Sequence, residues 1–178
     1  AYTARIASLP RDLLLGAIIA EVQPPLWYVV EWLTVRLLGM SELALRLPAF
    51  IFGVLVSYLM VRLAQSLNLG NRTAVIAGII AATLPAGIMF SVDARVYPLF
   101  TTCVLGTLVA ILDNRPRWFG LSAVLTPLCH NVGYVYLGML LVSVLIVHRF
   151  NRLWLWTILV SGLGASVWLI AVFVQVSY

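Results

Sequence analysis

Lysine is missing from this 178-residue chain, so all eleven basic residues are arginines. Charge of either sign is scarce: 10% of residues are charged, 63% are hydrophobic and the mean hydropathy is +1.06. Soluble domains carry about 25% charged residues, so a water-soluble fold is excluded and an integral membrane protein is expected. Cysteine is limited to Cys103 and Cys129, both in apolar runs, with no CxxC and no metal spacing. Buried, inert thiols are the expectation for both. There is no nucleotide-binding loop, haem pair, HExxH or Gly-rich phosphate cradle, and so no soluble catalytic domain. The net charge of +5 comes from arginines at the ends of apolar runs. That placement serves topology and lipid headgroups and gives no nucleic-acid signal. No signal peptide is recognisable. Ala1-Tyr2-Thr3 has neither an initiator methionine nor an apolar start, and the chain is expected to be truncated or processed.

What is present is a series of apolar stretches: Pro24 to Gly39, Leu47 to Val61, Thr73 to Val92, Val96 to Leu112, Trp118 to Cys129, Val132 to Val147 and Leu153 to Val174. They are continuous rather than alternating, which selects helices over an outer-membrane barrel. The expected fold is all-α, a polytopic transmembrane helical bundle of about six or seven apolar segments over residues 24–178. Residues 1–23 form a juxtamembrane amphipathic segment on the outer face. Two short helices split at Pro10 are expected there, with Ile6, Leu9, Leu13 and Ala17 on one face against Arg5, Ser8, Arg11 and Asp12. Pro24-Pro25 and Pro48 suit helix starts, whereas Pro85, Pro98 and Pro127 predict internal kinks or breaks.

The arginines predict a topology. If each run from Thr73 onward crosses once, Arg72, Arg115, Arg117, Arg149 and Arg152 share one side, cytoplasmic by the positive-inside rule. Asp93, Arg95 and His130 then share the opposite, outer face. Trp118 to Cys129 and Val132 to Val147 are short beside the roughly 20 residues of a full crossing and suggest a helix pair dipping around a cavity. The number of crossings between Pro24 and Val61 stays open.

Four places carry chemistry-bearing residues. Glu21-Val22-Gln23-Pro24-Pro25-Leu26-Trp27-Tyr28 joins the amphipathic segment to the bundle, with Trp27 and Tyr28 fitting an interfacial aromatic belt. Glu42 and Arg46 stand at i, i+4, a helical ion pair. Asp93-Ala94-Arg95-Val96-Tyr97 puts an acid and a base at a bilayer edge, where ionisable groups are costly. Asp93 and Tyr97 are expected on one helical face with Arg95 pointing elsewhere; the carboxylate and guanidinium could grip a phosphate, orient a catalytic loop, or simply neutralise an interfacial loop. His130-Asn131 follows Pro127 at a break, where an imidazole could bind metal or phosphate, pass a proton, or be a satisfied structural histidine.

In this order the segments resemble the polyprenyl-phosphate-sugar-dependent membrane glycosyltransferases of the C superfamily. The resemblance is to the branch of protein O-mannosyltransferases and the lipid A aminoarabinose transferase. It rests on Ala1-Tyr2-Thr3, Gln23-Pro24-Pro25-Leu26-Trp27-Tyr28, Ser41-Glu42…Arg46-Leu47-Pro48, Asp93-Ala94-Arg95-Val96-Tyr97 and His130-Asn131. Gln23 stands where the family usually has His or Lys. The resemblance implies inverting transfer of a sugar from a polyprenyl-phosphate lipid to an acceptor, at the periplasmic or exterior face of a bacterial inner membrane. It places the general base upstream of Ala1, leaving this chain as the front portion of the enzyme and inactive alone. It assigns phosphate to Arg95 and His130, and acceptor or supporting roles to Asp93, Tyr97 and Glu21. Gln23, Pro24, Pro25 and Tyr28 form its double-proline segment. No metal ligand is identified, although a divalent metal is compatible with the family. The implied partners are the sugar lipid, membrane lipids and other membrane subunits. The alternative is a non-catalytic subunit of this fold packed into a larger membrane complex.

Overall fold

Prolines and polar breaks cut the described residues into ten helices, and every regular element among them is α-helical. The computed structural model describes residues 2–20, 24–148 and 151–176. The helices are α1 (Tyr2–Ala7), α2 (Arg11–Ala20), α3 (Leu26–Leu38), α4 (Glu42–Ser66) and α5 (Asn71–Thr83). They continue with α6 (Pro85–Val92), α7 (Tyr97–Leu112), α8 (Pro116–Cys129), α9 (Gly133–His148) and α10 (Arg152–Val176).

The two N-terminal helices are split at Pro10 as expected, but their buried face differs from the expected one. Ile6, Ala7, Leu14 and Ile18 are buried, whereas Leu13 is exposed. The break at Pro10 resets the helical phase, so a period of 3.6 residues does not carry from α1 into α2. Both helices dock at one end of the bundle through Ile6, Leu14 and Ile18, which cluster with Tyr28 and Trp168.

α4 starts at Glu42, where the Ser41 hydroxyl accepts from the Ala44 amide at 3.1 Å. Pro48 therefore lies inside this helix rather than at its start. The helix also runs past Val61 to Ser66, and its 25 residues, with an 18-residue stretch of mean hydropathy 1.9, are long enough to cross a bilayer. α3 has 13 residues, about 20 Å of helix, against a hydrocarbon core of about 30 Å. Between Pro24 and Val61, α4 is the helix whose length matches a bilayer.

Pro85 breaks the next stretch. α5 and α6 meet at 56° and pass the length test for a span only when taken together. Pro98 occupies the first turn of α7, where its missing N–H costs nothing, so it starts a helix instead of kinking one. Pro127 does fall inside α8, near its end.

Pairwise contacts fix the directions. Thr102 Oγ1 donates to the Phe52 carbonyl and Arg62 pairs with Asp113, so α7 runs parallel to α4. Cys103 meets Cys129, which makes α8 antiparallel to α7. Ser161 meets Gly120 and Tyr134 meets Ala165, so α10 runs with α8 and against α9. Asp93, Arg95 and His130 consequently sit at one end, with Arg62, Arg72, Arg115 and Arg152 at the other. That is the alternation the arginines predict; Arg149 lies outside the described residues.

The core is thin and apolar. Phe119, Ala123, Val144 and Trp154 are its most buried members. The outward surface is apolar as well, with Val54, Ile80 and Ile146 at 55%, 57% and 73% exposure. Soluble monomers avoid broad apolar patches. The composition and the exposed faces together describe an integral membrane bundle.

Candidate functional site

At the His130 end lies an open cavity of about 190 Å³. Its wall comes from three separated segments: Pro24, Trp27 and Tyr28; Ala94 to Tyr97; and Cys129 with His130. The double-proline segment, the acid-Ala-Arg turn and the histidine break therefore converge, although they are far apart in the chain.

Each segment is shaped locally. Pro25 caps α3 with φ −75° and ψ −25°, and the buried Pro24 before it fixes how the chain enters the helix. Asp93 ends α6 in an extended conformation, φ −81° and ψ 139°. The Arg95 amide then donates to the Asp93 carbonyl at 2.8 Å, which tightens the turn. Asp93 and Tyr97 do not share a helical face, because the helix stops at Val92 and restarts at Tyr97. The turn instead sets the Asp93 carboxylate beside Arg95, with Oδ2 3.5 Å from Nε. Both side chains are half-exposed, at 47% and 60%. The pair occupies one edge of the guanidinium, and the terminal nitrogens keep their donors for a ligand.

His130 caps α8 in an extended conformation. Its Nδ1 accepts the Val132 amide at 3.2 Å, which puts the neutral ring's proton on Nε2 as a donor. The ring stands between Tyr97 and Phe100, with centroid separations of 6.1 and 5.8 Å. Gly133 makes the break possible: a Cβ there would come within 2.5 Å of the Thr126 carbonyl oxygen and 2.7 Å of Pro127 Cα. Only glycine lets α9 begin so close to the end of α8.

Trp27 and Tyr28 do not form a surface belt. Both are buried: Trp27 among Ala49, Leu99, Cys103 and Cys129, and Tyr28 against the N-terminal helices. For Trp27 the packing of α4, α7 and α8 replaces the lipid interface with protein, and for Tyr28 the N-terminal helices do so. Asp93 does not line the cavity and touches it through Arg95. Glu21 and Gln23 lie outside the described residues. Glu42 and Arg46 form the expected ion pair at 2.6 Å, on an exposed helix surface away from the cavity wall. No group of three His, Cys, Asp or Glu side chains that could hold a metal comes together in the described residues.

Three features escape a reading of the sequence. Glu31, inside the run taken as apolar, is fully buried on α3 on the face of Trp27, Tyr28 and Val35. Its signal was a lone acid in an apolar stretch. Cys103 and Cys129 meet across α7 and α8 with sulfurs 3.8 Å apart, a pairing that no spacing rule reveals. Arg62 and Asp113 pair at 2.8 Å across 51 positions.

A second, larger space adjoins the first. A groove of about 680 Å³ runs between α4, α5, α6 and α7, walled by side chains such as Phe50, Ile80, Ile88 and Leu105. The polar cavity, bearing a guanidinium and an imidazole, and the apolar groove share Tyr97 in their walls. Such a shape accommodates an amphiphile with an anionic head. No curated protein and no solved structure matches the chain. A family profile does match, over residues 22–178, which takes in every wall of both spaces. On that match the chain belongs to the dolichyl-phosphate-mannose-protein mannosyltransferase family, a family of membrane glycosyltransferases.

Proposed function

We propose that the chain forms the donor side of a transferase that moves a sugar from a polyprenyl-phosphate lipid to an acceptor at the outer face of the membrane. The observation that carries this reading is the single cavity in which Arg95, His130 and the double-proline segment meet, beside an apolar groove that shares Tyr97 in its wall. In this reading the polyprenyl chain lies in the groove and the phosphate sits in the polar cavity.

As the bond from sugar to phosphate breaks, negative charge grows on the departing phosphate. Arg95 faces that charge with its free guanidinium edge, and His130 donates through Nε2. Asp93 holds Arg95 in place. Tyr97, Phe100 and the Val132 amide hold the imidazole plane and tautomer. Both donors are oriented before the ligand arrives, which makes such groups effective.

The test is sugar transfer from a labelled polyprenyl-phosphate sugar by the intact protein in lipid nanodiscs. Arg95→Ala and His130→Ala each lose most of the rate while the fold is kept. Wild-type rates in both variants would refute the assignment.

A further inference from the structure

The polar cavity accounts for a phosphate and leaves the buried face of α3 unexplained. Glu31 has no exposed surface, and neither of its carboxyl oxygens has a hydrogen-bond partner. One helical turn earlier on the same face, the indole Nε1 of Trp27 is also buried and unbonded. A third such atom, Trp168 Nε1, belongs to the cluster around Tyr28. Glu31 and Trp27 thus share a buried face of α3, and neither satisfies the other.

Buried polar groups are nearly always bonded, and each exception calls for an explanation. A leucine at position 31 would pack against these neighbours without stranding two oxygens. The chain has an acid there, on the helix whose Trp27 and Tyr28 line the same cavity as Arg95 and His130. The groups left unbonded suit a particular ligand chemistry. A carboxyl oxygen accepts from hydroxyl groups, an indole N–H donates to a hydroxyl or ring oxygen, and flat aromatic faces cover the C–H side of a pyranose or furanose ring.

We propose that Glu31 and Trp27 form the sugar subsite of this cavity, binding the hydroxyl groups of the carbohydrate carried on the lipid phosphate. The proposal rests on the donor-lipid reading above and adds to it the place where the sugar is recognised. Glu31 is buried and does not itself line the cavity, so the sugar reaches it by a rotation of Trp27, which does. The subsite is completed on binding, as side-chain adjustment at binding surfaces commonly is. The phosphate contacts are shared by every lipid phosphate, and discrimination for a sugar-bearing lipid comes from the α3 face.

The experiment measures dissociation constants for the intact protein in nanodiscs, using bare polyprenyl phosphate and the same lipid carrying hexosyl or pentosyl groups. Wild type binds at least one sugar-bearing lipid about tenfold or more tightly than the bare lipid, the worth of one or two hydrogen bonds to a buried carboxyl. Glu31→Leu removes most of that ratio, leaves the bare lipid within about twofold, and raises Tm because the stranded oxygens are gone. Trp27→Phe keeps the ring and loses the N–H; it lowers the ratio about threefold to tenfold and serves if the first variant fails to fold. A ratio unchanged in both variants, or no wild-type preference for any sugar lipid, overturns the subsite while leaving the phosphate site standing. Failure of wild type to bind even the bare lipid overturns the donor reading and the subsite with it.

Discussion

The two ends of the bundle contain similar residue types and use them in opposite ways. At one end, Asp113 accepts from Ser66 Oγ at 2.5 Å and from Arg62 Nη2 at 2.8 Å. The neighbouring Asn114 accepts the Trp154 indole N–H at 3.1 Å. Asn68 and Asn114 take left-handed φ values of 57° and 53° and close the ends of α4 and α7. The next amide in each case returns to a carbonyl of the last turn, Leu69 to Ala64 and Arg115 to Ala110. Asp113, Arg62, Asn114 and the Trp154 indole are partnered there. At the other end, Arg95 has only a half-exposed 3.5 Å contact along one edge, His130 keeps Nε2 as a donor, and Glu31 and Trp27 are unbonded. Satisfied polar groups hold helices together. Unsatisfied groups beside a cavity are available to a ligand.

Exchanging the roles of the two ends is the sharpest way to break this contrast. Arg95→Ala is expected to reduce sugar transfer about 10²–10³-fold, the range for removing a preorganised donor from a developing anion. Its Tm should stay close to wild type, because the ion pair it loses is largely exposed. Arg62→Ala should do the reverse, costing about 1–2 kcal/mol and a few degrees in Tm while the turnover of folded protein is kept. Transfer assays and thermal unfolding of both variants read the two effects side by side; a stability loss from Arg95→Ala with normal turnover would erase the distinction.

A smaller effect links packing to the site. Gly133→Ala forces a methyl group against backbone at Thr126 and Pro127, which should cost about 1–3 kcal/mol. Because His130 sits in the same break, transfer should fall further than Tm alone explains. Proportional losses of activity and folded protein would mean that His130 is indifferent to the geometry of the break.

The smallest expected effect concerns the helix register beneath the cavity. Cys103 and Cys129 are close enough to cross-link. A membrane-permeant small-molecule disulfide should oxidise them, forming one S–S bond between α7 and α8 while the oxidant is reduced to two thiols. Intact mass should show each cysteine lose a hydrogen, and Cys129→Ala should abolish the change. Failure to cross-link would contradict the α7–α8 register that brings His130 to Tyr97.

The local part of this architecture is legible in the residues themselves. Proline and polar breaks mark the helix ends at Pro10, Pro85 and His130 because their causes act within a few positions. The sharing of one end by Asp93, Arg95 and His130 follows from counting arginines between apolar runs. The rest depends on helices meeting. Nothing near Arg62 announces Asp113, nor does anything near Cys103 announce Cys129. The burial of Trp27 arises only when α3 packs against α4, α7 and α8, and that of Tyr28 only when the N-terminal helices dock. The Asp93 turn is an instructive case: five residues in a row invite a helical reading, but the chain leaves the helix at Val92 and resumes it at Tyr97, which puts Asp93 beside Arg95 instead of Tyr97. Glu31 stays hidden because one acid in an apolar stretch looks like an interruption until its lack of partners is seen.

The central claim is that the lipid phosphate binds at the His130 end. A polyprenyl phosphate bearing a photoreactive diazirine beside the phosphate tests it directly when cross-linked to the intact protein and mapped by peptide mass spectrometry. Adducts are expected within residues 94–97 and 129–130, competed away by unlabelled polyprenyl phosphate. Adducts concentrated instead around Arg62, Asp113 and Arg115 would contradict it.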